Sequence, residues 1–190
     1  MRLRTVQGEL DNPGVIIRRE TPRDFAAIAG VHSAAFAVPG TPSAEVPSAT
    51  VSEAALVEEL RIAADSIADL ALVAEVEGAI VGHVMASRAL IGDHASVGLG
   101  PLGVLPDRQG HGVGTALMHA VIAVADARDM PEIVLLGDPE FYCRFGFQPA
   151  EPMGVIAPDP QWGRHFQIRT LRCWTQDRGG HFRYAPAFRC

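Results

Sequence analysis

Between Leu99 and Phe147 this chain runs without a break through an apolar strand, a glycine-rich turn, an apolar helix and a second strand, an order that few folds can satisfy. Val104-Leu105-Pro106-Asp107-Arg108-Gln109-Gly110-His111-Gly112-Val113-Gly114 stops the first strand and opens the helix. The helix, Gly112 to Arg128, is apolar nearly all round through Val113, Ala116, Leu117, Met118, Val121, Ile122, Val124 and Ala125, as suits packing on a sheet. A helical crossover of this length returns the chain parallel to the strand it left. Glu132 to Leu136 is therefore predicted to be parallel to the strand ending at Leu105, in a right-handed βαβ unit. Ligands of such units bind outside the carboxyl ends of the strands, so the glycine turn and Asp138 to Phe145 are expected to flank one cleft.

The turn reads as a cradle for a diphosphate. Three glycines let backbone N–H groups at the helix start approach a ligand closely, and the helix dipole adds partial positive charge there. The same glycines also fit an ordinary turn, so the sequence context has to decide. A P-loop requires Gly-Lys-Ser/Thr at the helix start, whereas this chain has Gly114-Thr115-Ala116, which argues against nucleoside triphosphate hydrolysis. Gly98-Leu99-Gly100-Pro101-Leu102-Gly103 matches a dinucleotide fingerprint in letters, but strand-like residues and Pro106 follow it where a helix should open.

Around this unit other elements are legible. Val15-Ile16-Ile17 is a short strand, and Thr21-Pro22-Arg23-Asp24 caps a helix whose Phe25, Ile28, His32, Ala35 and Phe36 share one inward face until Val38-Pro39-Gly40 ends it. Pro39 to Ala49 reads as an exposed loop. A second helix starts at Ser52, with Leu56, Leu60 and Ala64 inward. Leu70 to Val76 and Ala79 to Leu90 form a hairpin about Glu77-Gly78. Ser96 to Leu105 is a strand interrupted by Pro101. The interruption is either a plain edge irregularity or a bulge that frees the backbone of Leu102 to Val104 for a ligand. Asp138 caps a short helix begun by Pro139 and stopped by Gly146; His165 to Arg169 alternates as a strand, and Phe182 to Phe188 is a last edge segment beyond Gly179-Gly180.

Composition narrows the class. The chain has 190 residues, 48% hydrophobic and 20% charged, which fits one soluble globular domain over residues 1–190. Its net charge of −6 disfavours general binding to nucleic acid or anionic membranes and suits a cationic amine. No signal-peptide core or long apolar run occurs, so a cytoplasmic location is expected. Three scattered cysteines and seven scattered histidines suggest neither a disulfide framework nor a metal site. Sequence leaves monomer and homodimer open.

Gln109-Gly110-His111-Gly112-Val113-Gly114 resembles the acyl-CoA signature Gln/Arg-x-x-Gly-x-Gly/Ala of the GNAT superfamily of N-acetyltransferases, and Phe141-Tyr142-Cys143-Arg144-Phe145-Gly146-Phe147 resembles its later Tyr-x-Lys/Arg-x-Gly-Phe element. Gly100-Pro101-Leu102, Leu136-Gly137-Asp138-Pro139 and Phe182-Arg183-Tyr184-Ala185-Pro186-Ala187-Phe188 resemble its YhbS-like branch. The resemblance implies an α/β (α+β) fold with a mixed, mostly antiparallel central sheet, splayed between two parallel strands, and helices on both faces. It implies an acyl-CoA-binding core at about 96–147 and an acceptor-side segment at 148–190. It also implies acetyl transfer from acetyl-CoA to a primary amine of a small molecule or protein in a ternary complex, without a metal.

The cosubstrate contacts implied are Leu102, Gly103, Val104, Arg108, Gln109, Gly110, His111, Gly112, Val113, Gly114, Thr115 and Tyr142. A backbone N–H, that of Val104, would stabilise the oxyanion, while Arg108 is either a phosphate contact or a solvated surface charge. Tyr142, a phenol of pKa roughly 10, is the candidate general acid for the departing thiolate, the competing reading being structural packing. Cys143 beside it has no sequence-placed His–Asp pair to activate it and reads as inert. The general base is open among His83, Asp93 and His94. Two other functions stay in play: a non-catalytic acyl-CoA-binding sensor, and a nucleotide-binding phosphotransferase.

Overall fold

The computed structural model describes residues 14–37 and 52–188. The predicted loop Pro39 to Ala49 lies outside them. Strand β1 (Ile16–Arg19) is followed by a single 3-10 turn over Pro22–Asp24 and then helix α1 (Phe25–Ala35). The Thr21 signal acts through Asp24, whose Oδ2 accepts from the Thr21 amide (2.7 Å) and hydroxyl (2.9 Å) while Arg18 grips both carboxylate oxygens. Ile28 and His32 point inward as predicted. Phe25 and Phe36 do not: at the two ends of α1 they stay 38% and 43% exposed, with the Arg61 guanidinium covering the Phe25 ring at 3.9 Å.

Ser52 caps α2 (Glu53–Ile62), its hydroxyl accepting from the Ala55 amide. Val57 and Leu60 are its buried positions; Ala64, predicted inward, has left the helix at φ +57° and is exposed. The hairpin forms as read, with β2 (Leu72–Val76) and β3 (Ala79–Ile91) joined through Glu77 and Gly78, both at positive φ. Strand β4 (His94–Val104) continues antiparallel to β3. Helix α3 (Val113–Ala127) crosses to β5 (Glu132–Leu136), and β5 is parallel to β4, as the crossover required. Helix α4 (Pro139–Tyr142) runs into a 3-10 turn that Gly146 ends at φ +78°. Short β6 (Gln148–Pro149) and β7 (Val155–Ile156) precede β8 (Phe166–Thr170) and β9 (Gly180–Arg183). Only the first part of the predicted terminal edge segment is strand, because Pro186–Phe188 turns into a 3-10 helix.

The sheet order is β1-β2-β3-β4-β5-β8-β6, antiparallel at every step except β4 to β5, with β9 paired to the end of β3. Alternation along β2 separates two cores. Leu72, Ala74 and Val76 face α3 through Val113, Leu117, Met118 and Val121, whereas Ala71 and Val73 face Ile28, Val57 and Leu60 of α1 and α2. A third cluster, Val134, Phe166, Ile168 and Phe182, fastens the carboxyl-terminal strands.

Two features open the middle of this sheet. The β3–β4 register jumps from Val84↔Leu102 to Ala86↔Leu99, so Gly100 and Pro101 bulge opposite Met85. Beyond that bulge β4 leaves its parallel neighbour, the one register match to β5 being Gly98↔Val134. The strands diverge toward their carboxyl ends, and the predicted site residues sit at that divergence.

Candidate active site

Backbone polarity along β4 follows from one hydrogen bond. Leu105 N–H donates to Val81 carbonyl at 2.9 Å, so the 105–81 pair is hydrogen-bonded and its neighbours must alternate. Gly103 therefore turns its amide toward β3, while Leu102 and Val104 turn theirs to the open edge. Gln109 corroborates this, donating from Nε2 to the Val104 carbonyl at 3.0 Å on that side. Of the three predicted contacts, Leu102 and Val104 turn their amides to the open edge and Gly103 turns its own toward β3. Gly103 serves another purpose: a Cβ there would lie 2.8 Å from His32 Nδ1.

Next along the chain comes the glycine turn. Gly110 and Gly112 take φ +76° and +84°, conformations that glycine adopts without penalty, and Gly112 is the helix N-cap. The amides of Gly110, His111, Gly112, Val113, Gly114 and Thr115 donate no hydrogen bond among the described residues; Ala116 is the first to be satisfied, by the Gly112 carbonyl. Six consecutive unpaired donors at the positive end of a 15-residue helix suit an anion. Val113 offers only its amide, since its side chain is buried against the sheet. Arg108 is partly exposed, 3.7 Å from Asp107, and His111 is exposed with Nδ1 2.7 Å from the Gln109 carbonyl. Gly114 closes the turn against the next element: a Cβ there would make ordinary contact with Phe141 (3.6 Å) and Val104 (3.7 Å).

Asp138 caps α4, Oδ1 accepting from the Glu140 amide at 3.0 Å, and Phe145 and Phe147 anchor the segment in the α3-side core. Tyr142 is thereby laid flat on Gly137, so closely that a Cβ on Gly137 would fall 2.3 Å from the ring. Phe141 and Phe147 pack edge-on against it. Burial pushes the phenol up to about 12, and the Asp138 carboxylate adds to the effect, so it is protonated at neutral pH. Cys143 is exposed and donates weakly to the Glu140 carbonyl.

Tyr142 opens into a cleft of about 370 Å³ shared with Leu99 to Leu102 of β4 and Leu136 to Asp138 after β5. Its remaining wall was not legible in sequence: Phe36, Glu53, Leu56, Trp162, Tyr184 and Phe188 arrive from both helices on one face and from the last 30 residues. Aromatics scattered at such separations carry no local signal. A wider depression of about 850 Å³, floored by Leu90, Ala95 and Val97, shares only Tyr184 with this cleft and contains none of the predicted residues.

None of the three candidate bases reaches the cleft. Asp93 and His94 occupy the β3–β4 turn, at the opposite end of both strands from Val104. His83 is fully buried in a chain: its Nε2 meets Glu20 Oε2 at 3.0 Å, its Nδ1 meets His32 Nε2 at 2.8 Å, and Arg61 forks Glu20 at 2.6 and 2.9 Å. Burial would raise the Glu20 carboxyl, but hydrogen bonds from His83 and Arg61 prevail and hold it at about 2. Burial drives His32 down to about 3, helped by His83 and Arg61, and lowers His83 as well. With both rings neutral and the carboxylate able only to accept, the protons sit on His83 Nε2 and His32 Nε2. His32 Nδ1 is left without a partner. Among the described residues no group of three His, Cys, Asp or Glu could hold a metal ion, and no helix is long and apolar enough to cross a membrane.

This arrangement, a parallel pair that splays at a bulge with a glycine-capped helix between its strands, has counterparts in known proteins. The acetyltransferase (GNAT) domain family matches residues 68–149. The chain belongs to the GNAT acetyltransferase family. It is 32% identical over 124 residues to the uncharacterized N-acetyltransferase YjhQ of Escherichia coli, a match covering 61% of this chain and 68% of YjhQ. It is also 32% identical over 123 residues to YhbS of the same organism, covering 63% and 72% of the two chains. Among solved structures, a GNAT family acetyltransferase from Brucella melitensis in complex with acetyl-CoA is 32% identical with a TM-score of 0.72, covering 93% of this chain and 99% of that one. Escherichia coli YhbS in complex with CoA is 26% identical with a TM-score of 0.80, covering 93% and 92%.

Proposed function

We propose that this protein moves an acetyl group from acetyl-CoA to a primary amine by direct attack while both are bound, acting in the cytoplasm and not on nucleic acid. The observation that carries the reading is a set of hydrogen-bonding groups without partners among the described residues: the amides of Gly110–Thr115, the Leu102 and Val104 amides turned away from β3, and the Tyr142 hydroxyl beside the cleft. The two CoA-bound relatives support acetyl-CoA as the cosubstrate. Its diphosphate fits the turn, because six amides and a helix dipole supply anion affinity without a lysine. Its extended arm fits the open edge of β4, where Leu102 and Val104, paired to β3 on one side, have no register partner on β5.

In this reading the amine nitrogen forms a bond to the thioester carbon as the carbon–sulfur bond breaks. The Val104 N–H, directed into the opening, donates to the carbonyl oxygen as negative charge develops there. Tyr142 gives its proton to the departing sulfur. A phenol at about 12 is a weaker acid than a thiol of roughly 8.5, so the proton moves only as the bond breaks, and the proton shed by the amine restores the phenol through solvent. Tyr142→Phe is expected to lower turnover roughly a hundredfold while leaving acetyl-CoA affinity within about twofold. Thiol release and calorimetry read the two quantities. Unchanged turnover would remove Tyr142 from the chemistry.

A further inference from the structure

The charge inventory of the cleft is one-sided. Glu53 and Asp138 line it; no lysine, arginine or histidine among the described residues does. Glu53, at the first position of α2, has no ion-pair partner among the described residues, whereas Asp138 spends one oxygen on its cap. An ammonium group entering the cleft therefore meets a carboxylate, whereas a carboxylate or phosphate meets two like charges and no cationic side chain among the described residues. Desolvating an acid with no partner is costly, so this asymmetry acts as rejection as well as attraction.

The rest of the wall defines the body of the ligand. Phe36, Leu56, Trp162 and Phe188 contribute apolar surface, with Phe36 left 43% exposed. Trp162, Tyr184 and Phe188 form one run of rings, with centroids 6.3 and 4.5 Å apart. Half-covered rings beside a carboxylate give stacking area for an apolar or aromatic body and a quadrupole for its cation. The volume, about 370 Å³ and shared with the reacting end of the cosubstrate, suits a small molecule.

We infer that the acceptor is a small primary amine with an aromatic or aliphatic body and no acidic group, an arylalkylamine being the best fit, seated between Glu53 and the Phe36, Trp162 and Phe188 wall. This rests on the transferase reading and narrows it. Matched probes separate the two: phenethylamine and phenylalanine differ by one carboxylate. Thiol release from acetyl-CoA is expected to give phenethylamine a kcat/KM at least a hundredfold above that of phenylalanine. Glu53→Gln, a conservative change at a surface helix end, is expected to raise the KM for phenethylamine roughly fivefold with acetyl-CoA affinity unchanged.

Binding gives a second readout that does not depend on chemistry. In the CoA complex, phenethylamine should quench Trp162 fluorescence, identified by its loss in Trp162→Phe, at concentrations where phenylalanine does not. Equal use of the two amines, or preference for phenylalanine, would overturn the inference and leave the transferase reading standing. Selective quenching without any acetyl transfer would uphold the amine selectivity and sink the transferase reading. Neither transfer nor selective quenching would overturn both.

Discussion

Tyr142 owes its position to what Gly137 lacks. With a side chain 2.3 Å from the ring, Gly137→Ala must displace the phenol, although the backbone there needs no left-handed angle and the turn at Gly110–Thr115 is untouched. If Tyr142 is the general acid proposed above, misplacing it by about 1 Å costs on the order of a hundredfold, so this variant should lose tenfold or more in turnover and keep its acetyl-CoA affinity; steady-state rates with calorimetry check both. The place of Tyr142 beside the cleft was legible because its signature is local. The division of labour among Leu102, Gly103 and Val104 was not, since it depends on the parity of the β3–β4 ladder beyond a two-residue bulge. The base candidates lie away from the cleft for a similar reason. His83 is near in sequence to the β-region but points into a buried chain, and Asp93 and His94 sit at the wrong end of a long hairpin.

At the scale of elements, the βαβ unit was readable because each part is continuous in sequence and its crossover has one favoured hand. The closing strands were not: β9 pairs Leu90 with Arg183 and Ile91 with Phe182, contacts over 90 residues apart that no local pattern records. A second long-range device ties α1, α2 and β3 together, the chain Arg61–Glu20–His83–His32. It makes the fold sensitive to acid, and the sign is fixed. His32 is neutral in the folded state down to about 3, whereas an unfolded histidine takes a proton near 6.5, so below that pH the unfolded chain binds more protons. The stabilisation is complete above about 6.5 and is lost progressively as pH falls toward 3; Glu20, held at about 2, adds a loss that begins near 4.5. Between pH 6.5 and 5 the neutral buried His32 accounts for up to about 2 kcal/mol, and His83, lowered by burial, acts in the same direction. Urea midpoints should fall over that interval, and His32→Leu should flatten the slope. A midpoint indifferent to pH would mean the rings are solvated.

The whole molecule is a sheet opened at its centre, with the glycine turn of α3 at one side of the opening, where we place the cosubstrate, and a cleft on the side of α1 and α2, where we place the amine. The turn and the parallel pair were legible because glycine spacing and strand order are sequence properties. The pocket wall was not, being assembled from Phe36, Glu53, Trp162 and Phe188 only once both halves of the chain have folded. In the proposed function, unpaired backbone amides hold acetyl-CoA. Amide hydrogen exchange with and without acetyl-CoA tests this residue by residue. Protection is expected to rise at Gly110–Thr115, Leu102 and Val104, with Gly103 unchanged because its amide already faces β3. Protection confined to other segments, or none at these amides under saturating acetyl-CoA, would contradict the account.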